Sequence, residues 1–598
     1  MRSWIYGRYS RRALLKTASA FIAAALAGCN PLRSDDDTGS PESESTATPA
    51  STNEPPPQPT PTPELATPTP EPTPTPEPPA PVTFYRSQGL ERDDSALLNK
   101  VLAGLSSAVR EHGRDLEPAS SPGEADIVID LPREDSATDT ICYGDALIPV
   151  AANRQLIDQV SQDDIERLFR GEIQNWQHLG GRDEPVVPIV ESSVLSLPAG
   201  WIADPQVHDD LPQISRDHPG MIALVPRASA SFRLQSLLVG ETDPNHEELT
   251  RENWPWWDAV SVVTAPTIDQ DVRRDLERSI AGLKSATTIP ARTMISVVGD
   301  VMLGRTPHRI MGERNDWTAP FPLVADELQR GDLTVGNLEC AITDSFTPPA
   351  DPTTFSFMTF SSAVEGLVYA GFNALSGANN HAMDFGIVGA NDTSRHLQNA
   401  GIEHFGTGNT VDEAREPCLL THNEVTFAIL GYDAISMHYA GATPTSGGVS
   451  PMVEANVVED IARAREQADV VIPFFHWGIE YTLTPSEGDR RMAHAAVDAG
   501  ADLVLGGHPH WVQGMEIYQG TAIFYSLSNF VFDQEWSFET KQGFVLHLVF
   551  DGVRFVGFRV VPVLIEDFHR PRIVDDEVRT IILDRYWEST SIVEQSPL

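Results

Sequence analysis

Five apolar runs in the C-terminal half of this chain stop on side chains that can ligate a metal. "ISVVGD" stops on Asp300, "LTVGNLE" on Asn337 and Glu339, "ALSGANNHAMD" on Asn380, His381 and Asp384, "VVIPFFHWGIE" on His476 and Glu480, and "DLVLGGHP" on His508, with His510 one step beyond. Short apolar runs alternating with helical spacing read as the buried strands of an α/β fold. In such folds the side chains just past the carboxyl ends of the strands meet along one edge of the sheet, where ligands bind. Singly, each residue has a plainer reading: the aspartate caps a helix, Asn-Asn makes a turn, and one histidine is a hydrogen-bonded core or surface residue. Together, imidazole, carboxylate and amide oxygen form a donor set that suits Mn, Fe or Zn. Two histidines one residue apart in "GGHPHWV" can reach two ions about 3.5 to 4 Å apart. Gly506 and Gly507 are expected to make the turn that aims both rings to one side. His308, His404, His422, His494, His547 and His569 lack such company and are assigned to surface or packing roles.

At 598 residues the chain is too long for one apolar core. "SRRALLK" followed by "TASAFIAAALAG" reads as an export signal over residues 1–29, since the apolar run is short for a membrane span. The arginine pair resembles a twin-arginine signal. "LAGC" resembles a bacterial lipobox, which implies lipidation of Cys29 and a membrane anchor at that end. Residues 30–81 are dominated by Pro, Thr, Glu and Ser, with nothing to bury, and are expected to form a semi-rigid polyproline spacer of about 3.1 Å per residue. Residues 82–291 alternate strand and helix patterns, which predicts an α/β unit with a largely parallel sheet. A second α/β domain is expected over 292–571, then an acidic tail, 572–598, with at most a short helix. The 42 Lys and Arg against 85 Asp and Glu give a formal charge of −43, which repels phosphate backbones, so no nucleic-acid partner is expected. Beyond Cys29 the cysteines are Cys142, Cys340 and Cys418; an odd number leaves at least one free thiol, and pairing of two stays open.

"RLFRGEIQNW" and "GMIALVPRAS" resemble the second half of phosphate-type periplasmic solute-binding proteins, which implies their α/β fold for 82–291. The Gly- and Ser-rich phosphate loop of that family is not evident near "YRSQGLERDD", so no ligand residue carries over. A binding domain kept only as a scaffold stays open, as does one that captures phosphate released by its neighbour.

The series "GDVMLGR", "GNLE", "GANNHAMDFG", "HWGIEY", "GGHPHWVQG" and "SLSNFVFDQ" resembles the CapA/PgsA family, the capsule and poly-γ-glutamate branch of the calcineurin-like metallophosphoesterases. The resemblance implies a four-layer α/β/β/α sandwich and a part in making, exporting or anchoring an anionic capsule polymer. It places Asp300 as a first-motif metal ligand, Asn337 with Glu339 where the superfamily has a bridging aspartate, and Asn380 as the amide ligand. His381 is expected to act on the leaving group, oriented by Asp384. His476 and His508 would complete one metal site and His510 the other. Met302 stands where the wider superfamily has histidine, which leaves the site of Asp300 and His510 a ligand short; one or two divalent ions are expected. Glu480, Ser528 and Asn529 are expected either to line the substrate pocket or to pack between sheets. The resemblance thus implies a surface-anchored, metal-dependent phosphoesterase-like hydrolase. It would act on an anionic capsule polymer or phosphoester, held to the membrane by its lipid and working with a capsule synthesis or export complex. The alternative is a non-catalytic polymer- or anion-binding accessory of such a complex.

Overall fold

Neighbouring residues on one strand face opposite ways, and in the C-terminal half both faces are apolar. Val297 and Val298 lie in different apolar clusters, as do Phe474 and Phe475. A strand buried on both sides has to sit in the middle of a layered fold. A computed structural model describes residues 78–87, 90, 96–131, 140–195, 201, 206–284, 288–345, 355–596 and 598. The expected export signal, Cys29 and residues 30–77 of the spacer lie outside them.

The first layer pair is built on an eight-stranded sheet. It runs Glu403–Phe405, Ala374–Ser376, Leu333–Leu338, Thr293–Val301, Gln542–Asp551, Arg554–Glu566 and Arg570–Ile573, with Asn529–Val531 branching off beside Thr293–Val301. The first four are mutually parallel and the last three antiparallel. A six-stranded sheet faces it, ordered Cys418–His422, Val425–Asp433, Val470–His476, Leu503–Gly507, Thr521–Ser526 and Gln513–Tyr518, parallel through its four central strands. Val297, Val335, Leu546 and Leu548 from the first sheet meet Phe427, Ile472, Phe474 and Leu505 from the second. Outside the first sheet, Val298 and Leu375 pack with Leu367 and Leu397 of helices; outside the second, Val471 and Phe475 pack with Ile461 and Ala493. The result is a four-layer α/β/β/α sandwich, with all parallel strands of both sheets available to end at one edge.

The N-terminal region differs from the expected parallel sheet. Val82–Arg86, Leu116–Pro118 and Ile127–Asp130 are parallel, and so are Val187–Glu191, Gln206–His208 and Met221–Pro226. Two long strands between them, Thr140–Ala152 and Trp257–Thr264, pair antiparallel with both groups and with each other. The region is therefore α/β with a mixed sheet and two apolar cores, one toward each end of the paired crossing strands. The "RLFRGEIQNW" segment starts in the last turn of the helix Gln162–Phe169, which a capping box on Ser161 opens, and ends on buried Trp176, whose indole N–H donates to the Gly220 carbonyl at 2.8 Å.

Apolar packing crosses both expected boundaries. Met294, Val549 and Val556 join the cluster that holds Trp254 and Trp256. The expected tail is instead a 20-residue helix, Asp576–Gln595. Ile582, Leu583, Tyr586, Trp587, Ser589, Thr590 and Val593 are buried at helical spacing. Ser589 Oγ and Thr590 Oγ1 accept hydrogen bonds from the backbone N–H groups of Gly514 and Met515, so the helix satisfies the otherwise open edge of Gln513–Tyr518. Cys142, Cys340 and Cys418 are all buried, and no disulfide joins any two of them. No helix among the described residues is long and apolar enough to cross a membrane.

Candidate metal centre

The two sheets deliver their strand ends to one place. Asp300 sits on Thr293–Val301 in register with Asn337 of the adjacent strand, and Glu339 follows one residue past that strand's end. From the facing sheet come His476, at the end of Val470–His476, and His508 and His510, just beyond Leu503–Gly507. Ligand atoms of Asp300, Glu339 and His510, all buried, lie within 4.8 Å of one another. His476 stands beside them, with Nδ1 3.9 Å from Asp300 Oδ1 and Nε2 4.0 Å from Glu339 Oε1. Asn380 Oδ1 is 2.7 Å from His476 Nε2, and the rings of His476 and His508 are 4.8 Å apart.

Several expectations change here. Met302 turns into the apolar layer with Leu338 and Phe532, while Glu339 arrives from the neighbouring strand as the third group beside Asp300 and His510. A carboxylate thus stands where a further ligand for that site was expected to be missing. Asn337, expected as a ligand, is a bracket: its amide donates to Asp300 Oδ1 at 2.8 Å and its oxygen accepts from Asn379 at 2.9 Å. Gly506 and Gly507 do not make the turn, because both lie in the strand. The positive φ values fall on His508 (93°) and His510 (55°) themselves. The glycines serve close approach instead: a Cβ on Gly506 would run into the Tyr525 carbonyl and the Trp477 ring, and one on Gly507 would come within 3.0 Å of Asp300 Oδ1. Left-handed backbone at a histidine costs roughly 1 kcal/mol or more, and such strain gathers where function fixes a side chain.

The expected substrate residues separate. Ser528 is buried and its hydroxyl donates to the Gln542 carbonyl at 2.7 Å, so it holds backbone and does not face the cleft. Asn529 Oδ1 lies 2.8 Å from His510 Nδ1, while its amide donates to the Thr540 carbonyl, so it orients His510. Glu480 is exposed at the mouth. His381 and Asp384 are together: Nδ1 is 2.8 Å from Asp384 Oδ2, which also accepts from the Phe357 N–H at 2.7 Å. An acceptor-only carboxylate there assigns the proton to Nδ1 and turns Nε2 toward Glu339, 3.9 Å away.

Sequence patterning missed Asn379, Phe357 and Asp433. Phe357 stacks on His381 at 3.8 Å between centroids. Buried Asp433 ends the strand Val425–Asp433 as the others do, a signal the same strand-end rule would have caught, but its carboxylate is occupied by Ser436 and the Ile435 N–H.

Burial, and then the neighbouring charge of Asp300, push the Glu339 carboxyl well above the ordinary carboxylate range. Burial, followed by the neighbouring histidines, pushes His476 and His508 well below the ordinary imidazole range, leaving both neutral with lone pairs to offer. Both oxygens of Glu339 and Nδ1 of His508 are buried without a hydrogen-bond partner. Such atoms cost free energy unless something meets them. A divalent cation fits this donor set, because carboxylate and neutral imidazole are its preferred ligands and its charge answers the Asp300–Glu339 pair.

A four-layer α/β/β/α sandwich that brings carboxylate, amide and paired histidines to the joint edge of two sheets defines an α/β fold class with a candidate metal centre. The comparisons narrow that class. A model of the bacterial capsule synthesis protein PGA_cap family matches residues 294–534. The chain is 34% identical over 274 residues to the PGA biosynthesis protein CapA of Bacillus subtilis (strain 168), covering 46% of this chain and 71% of that one. It is 32% identical over 281 residues to the capsule biosynthesis protein CapA of Bacillus anthracis, covering 46% and 67%. This chain belongs to the PGA_cap family of capsule synthesis proteins. Among solved structures, a putative 5'-nucleotidase from Staphylococcus aureus matches at a TM-score of 0.32 with 16% identity, over 49% of this chain and 58% of that one. An ABC-type phosphate transport receptor from Vibrio cholerae matches at 0.25 with 12% identity, over 34% and 96%. Scores this low carry no argument, and the fold rests on the sheet topology.

Proposed function

We propose that this chain is a metal-dependent phosphoester hydrolase acting in capsule or poly-γ-glutamate biosynthesis. The observation that carries the reading is Glu339, fully buried beside a second carboxylate with both oxygens unpartnered. Asp300, Glu339 and His510 would hold one ion, and His476, His508 and Asn380 a second if two bind. Mn, Fe or Zn suits either set. A divalent ion there supplies Lewis acidity, offsetting negative charge on phosphoryl oxygens and acidifying water.

The chain's own groups do the rest. Asn337 fixes the carboxylate of Asp300 and Asn529 fixes the ring of His510, so two ligands are set before substrate arrives. His381, locked by Asp384 on one side and by Phe357 on its face, presents Nε2 to the cleft. From there it can pass a proton to the oxygen of the departing alcohol.

The export signal, Cys29 and the Pro-rich segment support a setting outside the cytoplasm, with the protein tethered to the membrane by lipid and its catalytic unit carried away from the bilayer. A capsule synthesis or export complex is the partner this setting suits. The test is hydrolysis of bis-p-nitrophenyl phosphate by chelator-stripped protein with Mn²⁺ added back. Turnover that appears with metal and disappears in Asp300→Ala is expected. Bound metal with no turnover of mono- or diesters would leave a non-catalytic accessory.

A further inference from the structure

The three most exposed aromatic side chains among the described residues are Tyr439, Phe355 and Trp536, and each lies within one or two contacts of His381, Asp384 or His510. Phe355 lies 5.5 Å from the guanidinium of Arg305, which also covers Phe357, the ring stacked on His381. Tyr439 is near enough for the charges of Asp433 and Asp384 to push its phenol up, after burial. Trp536 meets Tyr481 edge to face, at 4.7 Å and 84°, and Tyr481 lies nearly parallel to His510 at 6.1 Å. Exposed aromatic rings gathered in one place mark a binding surface.

Tyr481 is held there against its backbone preference. Its φ is +62°, in the left-handed region, and its N–H donates at 2.8 Å to the carbonyl of Pro509, the residue between the two histidines. Its hydroxyl faces Glu480 and Gln534. Tyr481 and Trp536 thus form a corner over His510: one open aromatic face, one strained ring, and a carboxylate and an amide within reach of the same space.

The charges around the corner limit what it can take. Beyond Asp300 and Glu339, whose charge the ion would answer, Asp384 and Glu480 are acidic, and the nearby cation Arg305 is tied to Asp533 at 2.9 Å. A run of carboxylates would meet like charge. A neutral ring fits, with an apolar C–H face for Trp536 and hydroxyls for Glu480 and Gln534. The perpendicular pair makes a corner, not the parallel slot that would sandwich a flat base. We propose that Tyr481 and Trp536 form a sugar subsite, so that the substrate is a phosphoester carrying a sugar ring next to the ester. The inference rests on the hydrolase reading above.

The test compares glucose 1-phosphate, adenosine 5'-monophosphate and glycerol 3-phosphate with the Mn²⁺-loaded full chain, by kinetics and by calorimetric binding. In Trp536→Ala, kcat/KM for glucose 1-phosphate relative to glycerol 3-phosphate should fall about tenfold, the scale of one lost ring contact, and Trp536→Phe should recover part of it. An unchanged ratio, or tighter binding of the adenine nucleotide than of the sugar phosphate, overturns the subsite. The two readings fail separately. Turnover without ring preference removes the sugar corner and keeps the hydrolase, whereas ring-dependent binding without turnover does the reverse. Neither turnover nor binding overturns both.

Discussion

Two buried imidazole–carboxylate groups lie in the same sandwich and are finished differently. On the strand Gln542–Asp551, His547 has partners on both ring nitrogens: Ser296 Oγ at 3.0 Å from Nδ1 and Glu327 Oε1 at 2.7 Å from Nε2, with Arg559 3.2 Å from the same carboxylate oxygen. At the strand ends, Glu339 has no partner for either oxygen and His508 none for Nδ1. The first group closes on itself with protein atoms, as a structural cluster does. The second is held rigid by Asn337 and Asn529 yet left open at its centre, which is how a site that receives a cation is built. Burial alone does not tell the two apart; unmet acceptor capacity on carboxylate and imidazole does, since the unmet atoms of the first group are donors on Arg559.

That difference can be attacked from both sides. The largest effect is expected at Asp300: replacement by alanine removes a ligand and leaves Glu339 facing no companion carboxylate. It should weaken metal binding by about 100-fold or more, above what losing an orienting group costs, and abolish phosphodiester turnover. His381→Ala should lower kcat about 100-fold to 10,000-fold while metal content, read by mass spectrometry, stays at the wild-type value, because its ring is assigned to the leaving group and not to the ion.

The closed group should answer to pH instead of metal. Burial, and then Arg559, push the His547 imidazole down to about 4 despite its bond to Glu327. The unfolded chain therefore binds more protons than the folded one between about pH 6.5 and pH 4, and stability falls as pH drops through that window, by on the order of 3 kcal/mol for this residue. Glu327, held at about 2 by His547 and Arg559 against the effect of burial, extends the loss below pH 4.5. In thermal melts the gap between wild type and His547→Gln should narrow as pH falls from 6.5 to 4. The smallest effect is expected at Met302. Histidine there would enter the apolar layer and gain no ligand, so metal stoichiometry should not rise. The melting temperature should drop by roughly 2 to 10 °C, the cost of an unpaired polar ring.

Much of this centre was legible in the sequence, because a parallel strand ends where the ligands belong and its apolar run can be seen to stop. The convergence of Asp300, Glu339, His476, His508 and His510 on one place was found that way. The same rule overreached at Asn337 and Ser528, since strand-end position does not say whether an amide or hydroxyl faces the cleft or the neighbouring backbone. It could not place Phe357 against His381, 24 residues away in a stretch without periodicity. Nor did it reveal that Glu339 would stand beside Asp300 and His510 while Met302 turns away, which depends on the register of two adjacent strands. The length of the final helix was missed because its acidic exterior, and the hydroxyls of Ser589 and Thr590 within its buried stripe, mask the regular apolar spacing. Those same hydroxyls close a sheet edge that local sequence does not announce.

The measurement that bears most directly on the central claim is calorimetric titration of Mn²⁺ into the chelator-stripped chain, alongside Glu339→Gln and His547→Gln. Saturable binding by wild type, retained in His547→Gln and weakened about 100-fold or more in Glu339→Gln, is the predicted result. No binding by wild type, or equal binding by Glu339→Gln, would contradict the account.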